Sequence, residues 1–248
     1  MGEYRELEPP PALREHLACV WYQSVRNDEP PWQQRILPDA CIDIVWEAGA
    51  APRVAGPDTR PVVVDMAAGA LFAGARFRPG RAPDFLGVAA HELRDTQPEL
   101  AAVWGEAAAR RLAESDAAGS PGPMLHVLLA EVEARLGSLR EPGAATRAAL
   151  AWAGGTAALA RLGAELDLGD RQVRRRVEER FGYGPVILRR VLRLQRLLAL
   201  AAQLRGSPLA ELALATGYAD QAHMTRECGL LAGLSPVRLL ADWLPSPP

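Results

Sequence analysis

Ser207 to Leu240 reads SPLAELALATGYADQAHMTRECGLLAGLSPVRLL, a pattern of helix, tight turn and helix. Ser207 can cap the first helix, and Pro208 suits its first position, where the N–H that proline lacks would go unbonded anyway. Leu209, Leu212 and Ala213 recur at helical spacing. Thr216-Gly217-Tyr218 ends that helix, with Gly217 free to take positive φ. Asp220 is a good N-cap for a second helix, whose first turns carry Gln221, His223, Thr225 and Arg226. Gly233 ends it, and Ser235-Pro236 starts another. Hydrogen-bonding side chains on those first turns are what the major groove of DNA accepts.

Working back along the chain, the same pattern recurs about 50 residues earlier. Residues 146–153 and 157–166 read as helices, with Gly154-Gly155-Thr156 capping the second and Leu159, Leu162 and Leu166 facing inward. Residues 170–180 (DRQVRRRVEER) form a further helix. Val173 and Val177 face the core, while Arg171, Arg174, Arg175 and Glu178 share the outer face. Phe181-Gly182-Tyr183-Gly184-Pro185 ends that helix, and a long one over 186–204 leads to the opening stretch. Two helix-turn-helix units joined by one arginine-rich helix are a far more specific signal than either alone.

Charge follows the same division. The chain has 248 residues and a formal net charge of −2. Residues 1–143 hold 14 Arg and 21 acids, whereas residues 144–248 hold 14 Arg and 9 acids. Residues 171–196 alone hold nine Arg against two Glu. A near-neutral chain with one basic end points to nucleic acid at that end; a solvated arginine face is the plainer alternative. Arginine fills all 28 basic positions, which with the Ala, Gly and Pro richness resembles the composition of a GC-rich bacterial genome.

The first half reads differently. Residues 19–25, 33–37, 41–47, 53–55, 61–65 and 70–77 are short β-type runs separated by Gly, Pro and Asp turns. In the 41–47 run, Ile42, Ile44 and Trp46 alternate with Cys41, Asp43 and Val45, leaving one apolar face. Such strands predict a small antiparallel sheet or barrel. Residues 81–86, 99–114 and 123–136 read as helices, 115–123 as a loop, and a short helix or turn lies near Leu13. The Pro/Gly break at Ser138–Gly143 coincides with the charge switch and is the expected boundary. The fold class is thus α+β. Residues 1–143 form a β-rich sensor or effector-binding domain with trailing helices, and 144–248 an all-α double helix-turn-helix domain.

No apolar run approaches the ~18–20 residues of a membrane span, and the charged N-terminus has no signal-peptide core, so a cytoplasmic, nucleoid-associated protein is expected. Cys19, Cys41 and Cys228 are too scattered for a disulfide framework or a zinc cluster. With His16 and His91 the first two could form a metal or redox site, but buried thiols are the plainer reading. Asp39 and Asp43 could be a carboxylate pair, or a turn residue and one polar strand position. No nucleophile–base pair, phosphate loop or metal motif appears, so neither an enzyme nor a cofactor is expected.

The constellation resembles the AraC/XylS family of bacterial transcription regulators over residues 148–240. The most specific pieces are Leu192-Arg193-Leu194-Gln195-Arg196 in the linking helix and GYADQAHMTR…GLSP in the second unit. The resemblance implies recognition helices in successive major grooves. Carried over by position, Arg171, Arg174 and Arg175 read bases in the first unit, and Gln221, Ala222, Thr225 and Arg226 in the second. Arg forks onto guanine and Gln onto adenine, each good pair contributing roughly 1–3 kcal/mol of discrimination. Cys228 stands where the family usually has a core aromatic, and Gly229 and Leu230 replace helix-favouring, often basic, residues. The second unit is therefore expected to be softer and weaker than the first. WYQSV, ILPDACIDIVW, VAGPDT, GARFRPG and LAAVWG resemble an uncharacterised sensor-like domain that often precedes such a module; Ala40 replaces its usual glycine.

The expected function is a promoter-binding transcription regulator controlled by a small-molecule effector. Double-stranded DNA, RNA polymerase and a second copy of the chain are the candidate partners, with no membrane. Core packing ranks first for the aromatics, and an effector pocket around Trp21, Trp46, Arg76, Phe77 and Arg78 second. Arg76 and Arg78 flank Phe77 on a strand, so one face suits an anion. His223 is placed equally at a base or at solvent and phosphate. The alternative is a small-molecule-sequestering protein whose helix-turn-helix domain has decayed.

Overall fold

Extended chain places successive side chains on opposite faces, and in the first half both faces are covered. The computed structural model describes residues 2–115, 119–136 and 143–243. β1 (Glu3–Leu7), β2 (Leu17–Ser24), β4 (Ile42–Glu47), β5 (Arg53–Ala55) and β7 (Leu71–Phe77) make one antiparallel sheet in the order β1-β2-β7-β4-β5. β3 (Trp32–Ile36) and β6 (Val62–Met66) pair as a separate antiparallel ribbon. Ile42, Ile44, Trp46, Ala73, Ala75 and Phe77 point to one side of the large sheet, into a core backed by helices. Cys19, Trp21 and Phe72 point to the other, where Met66 and Val64 of the ribbon meet them. Gly74 is required here, since a Cβ would lie 2.4 Å from the Trp21 ring.

The helical backing is α1 (Ala82–Leu86), α2 (Ala90–Leu93), α3 (Leu100–Trp104), α4 (Glu106–Ser115) and α5 (Pro121–Glu133). Phe85, Leu100, Leu112 and Leu128 are fully or almost fully buried against the sheet. Burying a side chain of that size contributes about 1.5–3 kcal/mol before conformational entropy is charged.

The second half is α6 (Ala144–Gly154), α7 (Leu159–Leu166), α8 (Asp170–Phe181), α9 (Pro185–Gln203), α10 (Leu209–Ala215), α11 (Gln221–Ala232) and α12 (Pro236–Trp243). Its core strings together Trp152, Leu162, Val173, Val177, Leu194, Leu212, Met224 and Leu239. Leu37 and Ala40, from the β3–β4 connection, are buried in this same core. Gln195 Nε2 donates to Pro38 O at 2.7 Å, and Arg94 to Gly182 O at 3.3 Å. Arg180 at the end of α8 pairs with Asp84 of α1. Gly182 has φ +83°, and a Cβ there would strike the Pro57 ring. The helical half therefore packs tightly against the sheet half.

Several expectations shift. β1 is an additional strand, exposed along its length and held by pairing with β2. The helix expected over 99–114 is two, broken at Gly105 with φ +84° and ψ 158°. α7 begins at Leu159 behind Ala158, not at a Gly-Gly-Thr cap, and Pro208 rather than Ser207 stands at the N-cap of α10. Ala40 adopts φ +68°, which explains why glycine is usual there; alanine in that region costs roughly 1–2 kcal/mol. The Ser138–Gly143 break lies, except for Gly143, outside the described residues, as does part of the 115–123 loop.

Gly229 lies inside α11 without a positive φ, and a methyl group added there would meet nothing within 4 Å. Gly229→Ala is expected to stabilise the protein by about 0.5–1 kcal/mol, raising its urea midpoint without changing the slope. An unchanged or lowered midpoint would show that the helix interior gains nothing from the methyl group.

Candidate nucleic-acid interface and inter-sheet cavity

α8 is set by its sequence pattern. Val173, Val177 and Phe181 are buried, so the intervening positions must face out. Gln172 Oε1 accepts from the Gly169 N–H at 3.2 Å, tying off one unbonded donor at the helix start. Arg171, Arg174 and Arg175 are exposed. Arg171 and Arg174 make no hydrogen bond or ion pair among the described residues, while Arg175 lies 3.5 Å from Glu179 across an exposed pair. The C-terminal end of α8 faces the other way, towards α1 and the Pro57 segment.

α11 repeats the arrangement. Asp220 caps it, its carboxylate accepting from the His223 N–H at 2.6 Å. Met224, Glu227, Cys228 and Leu231 are buried, and Gln221, Ala222, Thr225 and Arg226 are exposed. The turn before it is fixed by Gly217 at φ +88° and by Tyr218 N–H donating to Ala213 O at 2.9 Å. Thr225 Oγ1 donates to Gln221 O at 2.9 Å, so its hydroxyl proton is engaged within the helix. Gly229 and Leu230 fall on the same exposed stripe one turn further on and bring no side-chain donor. Cys228 is fully buried in the helical core, and burial, with Glu227 nearby, pushes its thiol up to about 11.

His223, half-buried, is tied into the helix on both ring nitrogens. Its Nδ1 accepts from the Ala219 N–H at 3.3 Å, and Nε2–H donates to Glu227 Oε1 at 3.2 Å. Glu227 is buried and also meets Arg190 at 3.2 Å and Arg193 at 3.6 Å, both from α9. Its His223–Glu227 arm has helical i,i+4 spacing, but nothing local marks the arms to Arg190 and Arg193, which join residues more than 30 positions apart.

Between the five-stranded sheet and the β3–β6 ribbon lies a cavity of about 370 Å³. Trp21, Phe72, Met66 and Val64 give it an apolar wall; Gln195 of α9 and Trp243 of α12 close it from the helical half. Glu6, Asp39, Asp43, Asp58 and Arg76 supply charge. Arg76 forks onto Asp43 at 3.1–3.2 Å and lies 3.7 Å from Glu6 and 3.8 Å from Asp39. Burial pushes Asp43 up to about 6 despite that guanidinium. Burial, reinforced by the Asp95 and Asp39 carboxylates, also pushes Asp58 up to about 6.

Of the five residues expected at an effector pocket, Trp21 and Arg76 line this cavity. Trp46 and Phe77 are fully buried on the opposite, helix-backed face, because they fall on the other phase of strand alternation. Arg78 is exposed and donates to Arg14 O at 2.9 Å. The expected anion-facing surface is corrected too, since three carboxylates already surround Arg76. Asp39 and Asp43 do come together, around one arginine rather than as an acid–base pair. Tyr4, Asp58, Gln195 and Trp243 join the wall from distant segments that no local pattern links.

Burial and Glu6 push Cys19 up to about 12, and burial with Asp39 and Asp43 raises Cys41 well above its ordinary value, away from the thiolate form that a reactive cysteine needs. His16 instead contacts Arg81 and packs edge-on against Phe85. Among the described residues, no three His, Cys, Asp or Glu side chains are arranged to hold a metal ion, and no helix is long and apolar enough to cross a membrane.

Residues 5–99 match a family model described as a domain of unknown function (DUF6597), and residues 162–242 one described as a helix-turn-helix domain. No curated protein matches the sequence. Among solved structures, ToxT from Vibrio cholerae O395 is 9% identical, with 90% of this chain and 97% of that chain covered, at a TM-score of 0.47. A second crystal form of ToxT, at 1.65 Å resolution, covers 98% of both chains at 10% identity and a TM-score of 0.45. ToxT from strain SCE256 bound to an unsaturated fatty acid is 10% identical, covering 91% of this chain and 95% of its own, at a TM-score of 0.46. The chain thus carries a domain of unknown function in front and a helix-turn-helix domain behind it, the latter spanning α8, the linking helix α9 and α11.

Proposed function

We propose that the chain is a sequence-specific transcription regulator that reads DNA with α8 and α11 and responds to a small molecule held between its two sheets. Residues 1–143 are the effector-binding part and residues 144–248 the DNA-binding part. Arg171, Arg174 and Arg175 read one half of the site, and Gln221, Ala222, Thr225 and Arg226 the other. The observation that carries this reading is the pair of outward stripes: every one of these seven side chains is exposed. α9 has 19 residues and is about 28 Å long, comparable to the ~34 Å of one DNA turn.

The cavity supports control by a ligand because Gln195 and Trp243 of the helical half help to wall it. A ligand that prefers one arrangement of those walls biases how the recognition helices are presented, and only that difference in affinity can shift the population. Contact with RNA polymerase, pairing as a homodimer and residence at the nucleoid go with this reading and rest on the family resemblance alone.

Selection of bound sequences from random duplex DNA by the purified full chain tests the proposal. One enriched motif, bound with sub-micromolar affinity that falls steeply with salt, is the expected result. No enrichment even at low salt would sink it. Cys228-Gly229-Leu230 favours a second reading, a ligand-sequestering protein whose DNA-binding unit has lapsed, and that reading predicts the negative result.

A further inference from the structure

Resting on the reading of the inter-sheet cavity as the effector site, we infer that its ligand is a small organic cation with an apolar, aromatic body. Four carboxylates (Glu6, Asp39, Asp43 and Asp58) face the cavity against two guanidiniums, Arg35 and Arg76. Arg76 is not available to an anion. Arg76 is shared by Asp43, Asp39 and Glu6, and Arg35, exposed, donates to Ala232 O at 3.3 Å. The Asp58 carboxylate makes no ion pair among the described residues at a partly buried position, where the exposed Arg60 is the cation whose field reaches it.

The apolar wall adds the second half of the specificity. Trp21 and Tyr4 sit with ring centroids 6.0 Å apart, tilted by 40°, offering aromatic faces on which a cation is attracted to the ring quadrupole. Trp21 is 8% exposed, and its indole N–H, on the Asp43 side, makes no hydrogen bond of normal geometry. That leaves a buried donor at the wall, which a water or an acceptor atom on the ligand's body would satisfy, the ammonium group itself having no lone pair to offer. A volume near 370 Å³ suits a molecule of one or two rings. Attraction between an ammonium group and Asp58 is strengthened by the low dielectric of the cavity. A quaternary or hindered ammonium is the favoured form, because it gives up its hydration more readily than a compact metal ion.

Calorimetric titration of the full-length protein with three near-isosteres tests this: benzyltrimethylammonium, neutral neopentylbenzene and anionic phenylacetate. The cation is expected to bind at least tenfold more tightly than either of the others. Asp58→Asn, with its fold checked by thermal melting, is expected to weaken the cation at least fivefold and to leave neopentylbenzene unchanged. Should that variant not fold, the ranking on the wild-type protein decides alone. Neutral or anionic binding as tight as the cation's overturns the inference and leaves the cavity as an effector site. Binding of none of the three overturns both, while the DNA-binding proposal still stands or falls on the sequence selection.

Discussion

Arg174→Ala/Arg175→Ala is expected to weaken binding to the selected DNA motif by about 30-fold or more, because two base or phosphate contacts of at least ~1 kcal/mol each are lost and 1.4 kcal/mol is tenfold. Both side chains are exposed, so the fold has little to lose; surface changes of this kind stay within about 0.5 kcal/mol of stability. The thermal midpoint should therefore be unchanged while the affinity collapses. If the arginines read guanines, the double variant relaxes preference at defined positions of the motif. If they meet phosphates, affinity falls evenly across sequences and the salt slope drops by about two units. Electrophoretic mobility shifts over a salt series separate these outcomes. A double variant that binds as well as the wild type would remove α8 from the interface. A cellular phenotype that survives the substitution would favour the sequestering reading.

The DNA-reading half is legible in the sequence because everything that defines it is local. Val173 and Val177 mark the buried stripe of α8, so the sequence alone puts Arg171, Arg174 and Arg175 outside. Asp220 announces α11 one residue before it begins, Gly217 follows the end of α10 and Gly233 ends α11, as expected. Where local signals mislead, tertiary structure is the cause. Glu3–Leu7 carries charges at Glu3, Arg5 and Glu6 and has no continuous apolar face, yet it forms a strand because β2 offers it an edge. Gly105 reads as a tolerable interruption in a helix, but its backbone takes a conformation that no helix contains.

The cavity is half legible for a different reason. In β4 and β7 both phases of the alternation are apolar or mixed, since one phase meets the helices and the other the ribbon. Phe72 and Phe77 are chemically equivalent in sequence and lie on opposite faces in space. Aromatic content therefore locates the right strands without choosing the right face. Asp58, Gln195 and Trp243 cannot be assigned from spacing at all, because only the packing of the helical half against the sheet brings them to one wall.

Glu227→Ala is expected to destabilise the protein by about 3 kcal/mol, lowering its melting temperature by roughly 6–12 °C. Glu227 is buried and is the shared acceptor for three cationic or donor groups: Arg190, Arg193 and His223. Arg190 is 43% exposed and can turn to water, so it contributes little to the loss. Arg193 is only 12% exposed and would be left as a buried charge, with the Tyr218 ring 5.1 Å away and His223 Nε2 at 3.4 Å as its remaining neighbours. That unpaired guanidinium sets the magnitude. His223 loses the acceptor for its Nε2–H at the same time, which loosens the first turn of α11 where Gln221, Ala222 and Thr225 are displayed. DNA affinity should consequently fall along with stability, unlike the Arg174/Arg175 case. Glu227→Gln keeps the side-chain oxygen and the shape but removes the charge, so it should lie between the two. Urea denaturation of the three proteins gives the order directly. A loss below about 1 kcal/mol for the alanine variant would mean that Cys228, Met224 and Leu231 hold α11 by packing alone. The weakness expected of the second unit from Cys228, Gly229 and Leu230 is in that sense offset within the same helix: the residue preceding Cys228 anchors α11 to the linking helix through charge rather than through an aromatic ring.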